Sequence, residues 1–162
     1  DRLIQVFIPA PDYIVDMSSL MHPETVAGFI IFIIAVVVVA PFGEEILFRG
    51  FLQQFLEKHW KDSTKAVLIT SLFFAMIHLN PYWMIQIYFL GLILGFLAWR
   101  TGSVVPSLIL HGLNNAMAII LSFSIGESNN LYTWNGHVSP WILLLAIGLI
   151  FFGFKGLNQR KV

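Results

Sequence analysis

The apolar run from Val26 to Ala40 leads directly into the sequence PFGEEILFRG, which places Glu44, Glu45 and Arg49 between two hydrophobic stretches. The chain is 57% hydrophobic and only 11% charged, whereas soluble domains carry about 25% charged residues. These features predict an integral membrane protein. Charged side chains inside a membrane segment are costly and are functional candidates by default.

Composition excludes several kinds of site and partner. The formal net charge is zero, which gives no support for a nucleic-acid partner. The chain has no cysteine, so disulfides, thiol nucleophiles, cysteine zinc sites and S-lipidation are excluded. It begins at Asp1 without a basic region before a short apolar run, so we expect no signal peptide. We expect a fragment that lacks upstream membrane helices.

Hydrophobic segments of a length suited to membrane helices recur along the whole chain. They cover about residues 23–41, 43–60, 65–79, 82–99, 104–123 and 140–154. A membrane helix needs about 20 residues, and strand-like alternation is missing. The sequence therefore predicts an all-α transmembrane bundle of about five helical segments plus a kinked motif helix. Pro41 and Gly43 are expected to kink or break the helix between the first two segments.

Basic residues predict the orientation of these segments. Threading the spans places one group of basic residues on the same side: Lys58, Lys61, Lys65, Arg100, Lys155, Arg160 and Lys161. By the positive-inside rule this side, with the C-terminus, is cytoplasmic. We expect a prokaryotic cytoplasmic membrane. The predicted regions are a non-cytoplasmic segment 1–25, a membrane core 26–123, and a region 124–162 containing an outer loop, the last helix and a basic tail.

Helical spacing separates the two adjacent glutamates. Residues four apart share a helix face, so Glu45 can pair with Arg49, and Gln53 and Glu57 extend the same stripe. Glu44 points elsewhere. One carboxylate is then neutralised internally while its neighbour is free for chemistry. The alternative interpretation is an amphipathic helix lying in the membrane interface.

Two histidines recur in equally apolar surroundings. His78 shares a face with Phe74 and ends its helix, and His111 shares a face with Asn115. Taken singly, a histidine at a helix end is more often a dipole partner, and a His-Asn pair is more often an interhelical hydrogen bond. Together with Glu44 they supply what activation of a water molecule requires. We therefore expect Glu44, His78, His111 and Asn115 to converge on one cavity.

Three short motifs carry a resemblance to a known family. EEILFR fits E-E-x-x-x-R, FAMIH fits F-x-x-x-H, and HGLNN fits H-x-x-x-N, in this order along the chain. Over about residues 26–123 the chain resembles the CAAX-protease and bacteriocin-processing family of intramembrane endopeptidases, the Abi or Rce1-like enzymes. The motif positions show no departure from the family's pattern.

The resemblance implies hydrolysis of peptide bonds within the membrane. It implies that Glu44 is the general base, that His78 helps to hold the water, and that His111 and Asn115 stabilise the oxyanion. Glu45, Arg49 and Phe74 would support these groups. The expected partners are the lipid bilayer and a membrane-associated peptide, cleaved near its C-terminus or leader. A role in bacteriocin immunity or peptide maturation is also implied.

Metal dependence stays open at this point. Glu44, His78 and His111 could supply three zinc ligands with water as the fourth. Glu44 could then not serve freely as a base, and we prefer the metal-free glutamate mechanism. H-E-x-x-H does not occur in the sequence, so the site is not of the zincin type.

Two other functions use similar residues. Buried glutamates and histidines also form proton relays, so an ion- or proton-coupled transporter component is one alternative. Such proteins often contain internal repeats, and we find none in this sequence. The other alternative is a non-catalytic immunity or scaffold protein of the same fold, in which motif substitutions would leave the phenotype intact.

Overall fold

The computed structural model describes residues 23–124, 133–134 and 137–159. Its helices, numbered in chain order, are α1 Val26–Trp60, α2 Ser63–Met76, α3 Met84–Thr101, α4 Val105–Ser124 and α5 Pro140–Gln159. Between α4 and α5, two two-residue strands, β1 Thr133–Trp134 and β2 His137–Val138, pair antiparallel. The predicted all-α helix bundle is confirmed. Most of the segment 1–25, with Arg2, Arg160 and Lys161, lies outside the described residues.

Three of these helices are long and apolar enough to cross a membrane. They are Val26–Trp60, Met84–Thr101 and Val105–Ser122. Two further apolar helices, Ser63–Met76 and Pro140–Gly153, are shorter. The side chains of these helices include many large apolar groups that are exposed, such as Ile31, Phe89 and Phe151. This distribution fits helices whose outer faces contact lipid.

Helix α1 continues through Pro41 and Gly43, where the sequence predicts a kink or break. Two stretches within it, Ala35–Val39 and Ile46–Gln53, are π-helical. In the first, the N–H of Ala40 donates to the carbonyl of Ala35, five residues earlier. Proline lacks an N–H and crowds the carbonyl four residues before it, and a wider π turn relieves that crowding. The expected break is therefore replaced by a local widening of the helix.

Local signals end one helix and begin the next. Lys61 closes α1 in the left-handed region at φ 54°, and the Asp62 side chain accepts a hydrogen bond from the Lys65 N–H at 3.0 Å. Gly102 closes α3 at φ 63°. An Asp at the N-cap and a glycine after the last turn are favoured at these positions. The connection between α1 and α2 is consequently very short.

The chain forms two compact units, and the first extends through Ala116. Its buried apolar cluster consists of Phe48 from α1, Phe74 from α2 and Leu94 from α3. Gly91 on α3 faces α2, where a Cβ would lie 3.1 Å from the Ser71 Cβ and 3.2 Å from the Phe74 ring. Small residues at such points let membrane helices approach closely.

The second unit runs from Met117 and contains the end of α4, the β1–β2 pair and α5. Along α5 the apolar side chains are largely exposed, as at Leu144 and Phe152. A Cβ added to Gly148 on this helix would meet no neighbouring heavy atom of the described residues within 4 Å. Gly148 is therefore a position where a small substitution disturbs no packing.

We predict that Gly91→Ala destabilises the protein by about 1–3 kcal/mol, because overpacking a tight contact forces its neighbours to move. The atoms in its way are the Ser71 backbone and the fully buried Phe74 ring, which have no room to yield. Gly148→Ala is the matched control and should leave stability unchanged or slightly raised. Thermal unfolding in detergent measures both, and equal melting temperatures for the two variants would contradict this packing.

Candidate active site

A buried ion pair on α1 supports the site. The Arg49 Nη1 donates to the Glu45 Oε1 at 2.8 Å, as the spacing of four residues predicts. Each residue is only 1% exposed. Since breaking a buried pair leaves an uncompensated charge, Glu45 and Arg49 depend on each other inside the membrane.

The polar stripe of α1 also binds the backbone of α3. The second Arg49 amine, Nη2, donates to the Gly91 carbonyl at 3.0 Å, and one turn later the Gln53 Nε2 donates to the Gly95 carbonyl at 3.0 Å. Gln53 also donates to the Glu57 Oε1 at 2.9 Å. The stripe therefore fastens α1 to α3 by hydrogen bonds.

The same Glu45 oxygen also holds a histidine, a contact that the sequence does not predict. The His111 Nδ1 lies 3.0 Å from the Glu45 Oε1, and both side chains are almost fully buried. A carboxylate only accepts, so the Nδ1 carries the proton. The ring is thereby fixed with its Nε2 directed away from Glu45. No local pattern links positions 45 and 111, and only the assembled helices bring them together.

A hydrogen bond to the backbone orients His78 in a similar manner. It follows the last turn of α2, and its Nδ1 lies 2.7 Å from the Phe74 carbonyl oxygen. A carbonyl also only accepts, so here too the Nδ1 is the donor. The Nε2 of His78 is left as the nitrogen available to the site.

Glu44 is the group on which both histidines converge. Its Oε2 lies 3.9 Å from the His78 Nε2 and 3.8 Å from the His111 Nε2. The Glu44 side chain is 25% exposed and that of His78 29% exposed. The Oε2 itself has no hydrogen-bond partner among the described residues. These separations exceed the length of a direct hydrogen bond, and a bridging water about 2.8 Å from each atom would span them.

The same three groups were the candidate zinc ligands. Tetrahedral zinc with bonds of about 2.0–2.1 Å would place its ligand atoms about 3.3 Å apart. The separations of 3.8 and 3.9 Å are wider. Within the described residues, no group of three or more His, Cys, Asp or Glu side chains is placed to hold a metal ion.

Phe74 lies at the centre of this arrangement. It is fully buried, and its ring centroid is 5.0 Å from that of His78 and 5.5 Å from that of His111, both in edge-to-face geometry. The Arg49 guanidinium carbon lies 4.3 Å from the same centroid, within the range of a cation–π contact. A single ring therefore supports both histidines and the arginine.

Asn115 makes a contact between helices. Its Nδ2 donates to the Val36 carbonyl on α1 at 3.0 Å, and its Oδ1 lies 3.4 Å from the Asn114 Nδ2. The structure thus brings Glu44, His78 and His111 together, with Glu45, Arg49 and Phe74 around them.

Comparison with known families agrees with the three motifs. The family model for Rce1-like type II CAAX prenyl endopeptidases matches residues 26–117, which is more than half of the chain. The chain belongs to the Rce1-like family. Neither a curated protein nor a solved structure matches it. All residues of the cluster lie within the matched range of this Rce1-like protein, and its apolar helices mark it as an integral membrane protein.

We predict that Glu45→Gln lowers the stability of the Rce1-like protein by about 3–5 kcal/mol, because it leaves Arg49 buried without a counter-charge. Glu44→Gln should leave the melting temperature nearly unchanged, since Oε2 of Glu44 makes no hydrogen bond within the described chain. Thermal unfolding of both variants in the same detergent compares them directly. The assignment would be reversed if Glu44→Gln proved the more destabilising change.

Proposed function

We propose that this Rce1-like protein is an intramembrane endopeptidase in which Glu44 activates the attacking water. Membership of the family supports CAAX-type endopeptidase activity in general terms. The observation that carries the specific proposal is the convergence of both histidine Nε2 atoms on the Glu44 Oε2. A base must lie within hydrogen-bond reach of the proton that it removes.

The proposed reaction is a direct hydrolysis. Glu44 takes one proton from the water while the water oxygen forms a bond to the carbonyl carbon of the substrate. The resulting tetrahedral intermediate then breaks its C–N bond, and the proton passes from Glu44 to the leaving amine. The remaining proton of the water also passes to the amine, so the products are a new carboxylate and a new ammonium group, and Glu44 returns to its starting form.

Charge balance suggests how the histidines take part. Glu44 and Glu45 bring two negative charges, and Arg49 neutralises one of them. The Nδ1 of His111 is held by the second carboxylate, Glu45. With a proton also on its Nε2, His111 would donate to the oxyanion, while the Nε2 of His78 holds the water.

Asn115 has a different place in this proposal from the one that the resemblance implies. The family pattern makes it an oxyanion donor. The donation of its Nδ2 to the Val36 carbonyl supports a positioning role at the contact between α1 and α4 instead.

The proposed substrate is a membrane-associated peptide, and the proposed orientation places the lysine-rich end of α1 in the cytoplasm. Lys58, Lys61 and Lys65 lie where α1 meets α2, and a cavity of about 220 Å³ links this end of α1 to Trp99 and Gly102 at the end of α3. Arg100, at the end of α3, therefore lies on the same side of the membrane as these lysines. The shared position of the basic residues supports the assignment of that side as cytoplasmic. We further propose that the C-terminus also lies in the cytoplasm and that the membrane is a prokaryotic cytoplasmic membrane. The proposed role is bacteriocin immunity or peptide maturation.

The test is a cleavage assay on the purified full chain with internally quenched peptides ending in a CaaX sequence, prenylated and unprenylated. We expect the wild type to cleave at least one of them. Glu44→Gln should abolish turnover at an unchanged melting temperature, because the general base is lost. Glu24→Gln, an equivalent change at an exposed position before α1, is the control and should retain full activity.

The same assay decides the role of metal. With the metal-free mechanism, wild-type activity should persist after stripping with a strong chelator. One equivalent of bound zinc per chain, with activity lost on stripping and restored by zinc alone, would overturn that mechanism. An inactive wild type would instead favour the transporter or scaffold alternatives. An active Glu44→Gln would show that Glu44 is not the base.

A further inference from the structure

Pro41 leaves one carbonyl of α1 without a helical partner. In a regular α-helix the Val36 carbonyl would accept from the N–H of Ala40, but that N–H donates to Ala35. In a π turn it would accept from residue 41, which is a proline and has no N–H. Both donors that the helix could offer to Val36 are therefore lost. The carbonyl of Val37 likewise loses its α-helical donor at Pro41.

Helix α4 contacts α1 at these two carbonyls. The Asn115 Nδ2 donates to the Val36 oxygen at 3.0 Å. One turn earlier on α4, a Cβ added to Gly112 would lie 2.8 Å from the Val37 oxygen. That distance is shorter than carbon–oxygen packing permits, so only glycine allows the approach. An unsatisfied carbonyl in a membrane costs several kcal/mol, and Asn115 removes that cost at Val36.

We propose that Gly112 and Asn115 are positioning residues that dock α4 on the carbonyls released by Pro41 and thereby set the distance from His111 to Glu44. This inference rests on the proposed function for its catalytic part. Gly112 adjoins His111 directly, and Asn115 lies one turn beyond it, so a shift of α4 moves the histidine with it.

The distances at the site explain why this docking matters. The His111 ring is held by Glu45 at 3.0 Å and faces Glu44 at 3.8 Å. A gap bridged by one water tolerates little further separation. Misplacing a reacting group by about 1 Å can lower a rate by about 100-fold. The docking contact therefore controls catalysis without touching the substrate.

The first test is Gly112→Ala, with Gly148→Ala as the control in open space. The added methyl group pushes α4 away from the Val37 carbonyl, so we expect kcat to fall about 10- to 100-fold. KM should change less than kcat, since the displaced group is His111, which faces Glu44. Gly148→Ala should keep wild-type kinetics. Wild-type kcat in Gly112→Ala would overturn the positioning role of this glycine.

The second test is a double-mutant cycle between Pro41→Ala and Asn115→Ala. Pro41→Ala supplies a backbone N–H that competes for the released carbonyls, so the loss of Asn115 should cost less in that background than in the wild type. Coupled residues give non-additive effects. If Asn115 instead donates to the oxyanion, its removal should lower kcat by the same factor in both backgrounds, and the inference fails.

The cycle is measured both by activity and by melting temperature, so that a failure of the docking inference can be told apart from a failure of the proposed function. Melting temperatures in detergent report the docking contact whether or not the protein cleaves peptides. Coupling in stability without any peptidase activity of the wild type would reject the proposed function and keep the docking. Additive melting temperatures would reject the docking itself. The cycle also decides the question if Gly112→Ala does not fold.

Discussion

The buried ion pair between Glu45 and Arg49 connects three other contacts of the site. It lets two charges exist inside an apolar helix, and each partner also binds a second element. Glu45 fixes the His111 ring, while Arg49 binds the Gly91 carbonyl and covers the Phe74 ring. Glu45 is buried and its Oε1 accepts from both Arg49 and His111, whereas the adjacent Glu44 is partly exposed. Two neighbouring glutamates thus have different surroundings on different faces of one helix.

Several helices of the first unit are joined by side chains that donate to backbone carbonyls. Arg49 and Gln53 donate to Gly91 and Gly95, and Asn115 donates to Val36. Lipid is as apolar as leucine, so burial of apolar side chains offers little drive for helix association in a membrane. Polar contacts and close approach at small residues take over that role. The π turns of α1 contribute to the same kind of contact, since the widened helix leaves the Val36 carbonyl free to accept from Asn115 on α4.

Local patterns in the sequence predicted much of this arrangement. Hydrophobic runs predicted the helices, and the spacing of four residues predicted the pair of Glu45 with Arg49, because both depend only on neighbours along the chain. The continuity of α1 through Pro41 was not predicted, since a proline alone does not show that a wider turn will absorb it. The bond between Glu45 and His111 was also missed. It joins residues 66 positions apart, and only tertiary packing determines such a contact.

Both site histidines direct their Nε2 atoms at Glu44 because their Nδ1 atoms are held as donors, and the proposed chemistry depends on this orientation. Nitrogen-15 NMR of the imidazole rings in detergent measures it, with His78→Gln and His111→Gln variants assigning the signals. We expect the proton of the neutral ring to lie on the Nδ1 of both histidines. A bare Nδ1 with the proton on the Nε2 in the neutral ring of either histidine would contradict this orientation.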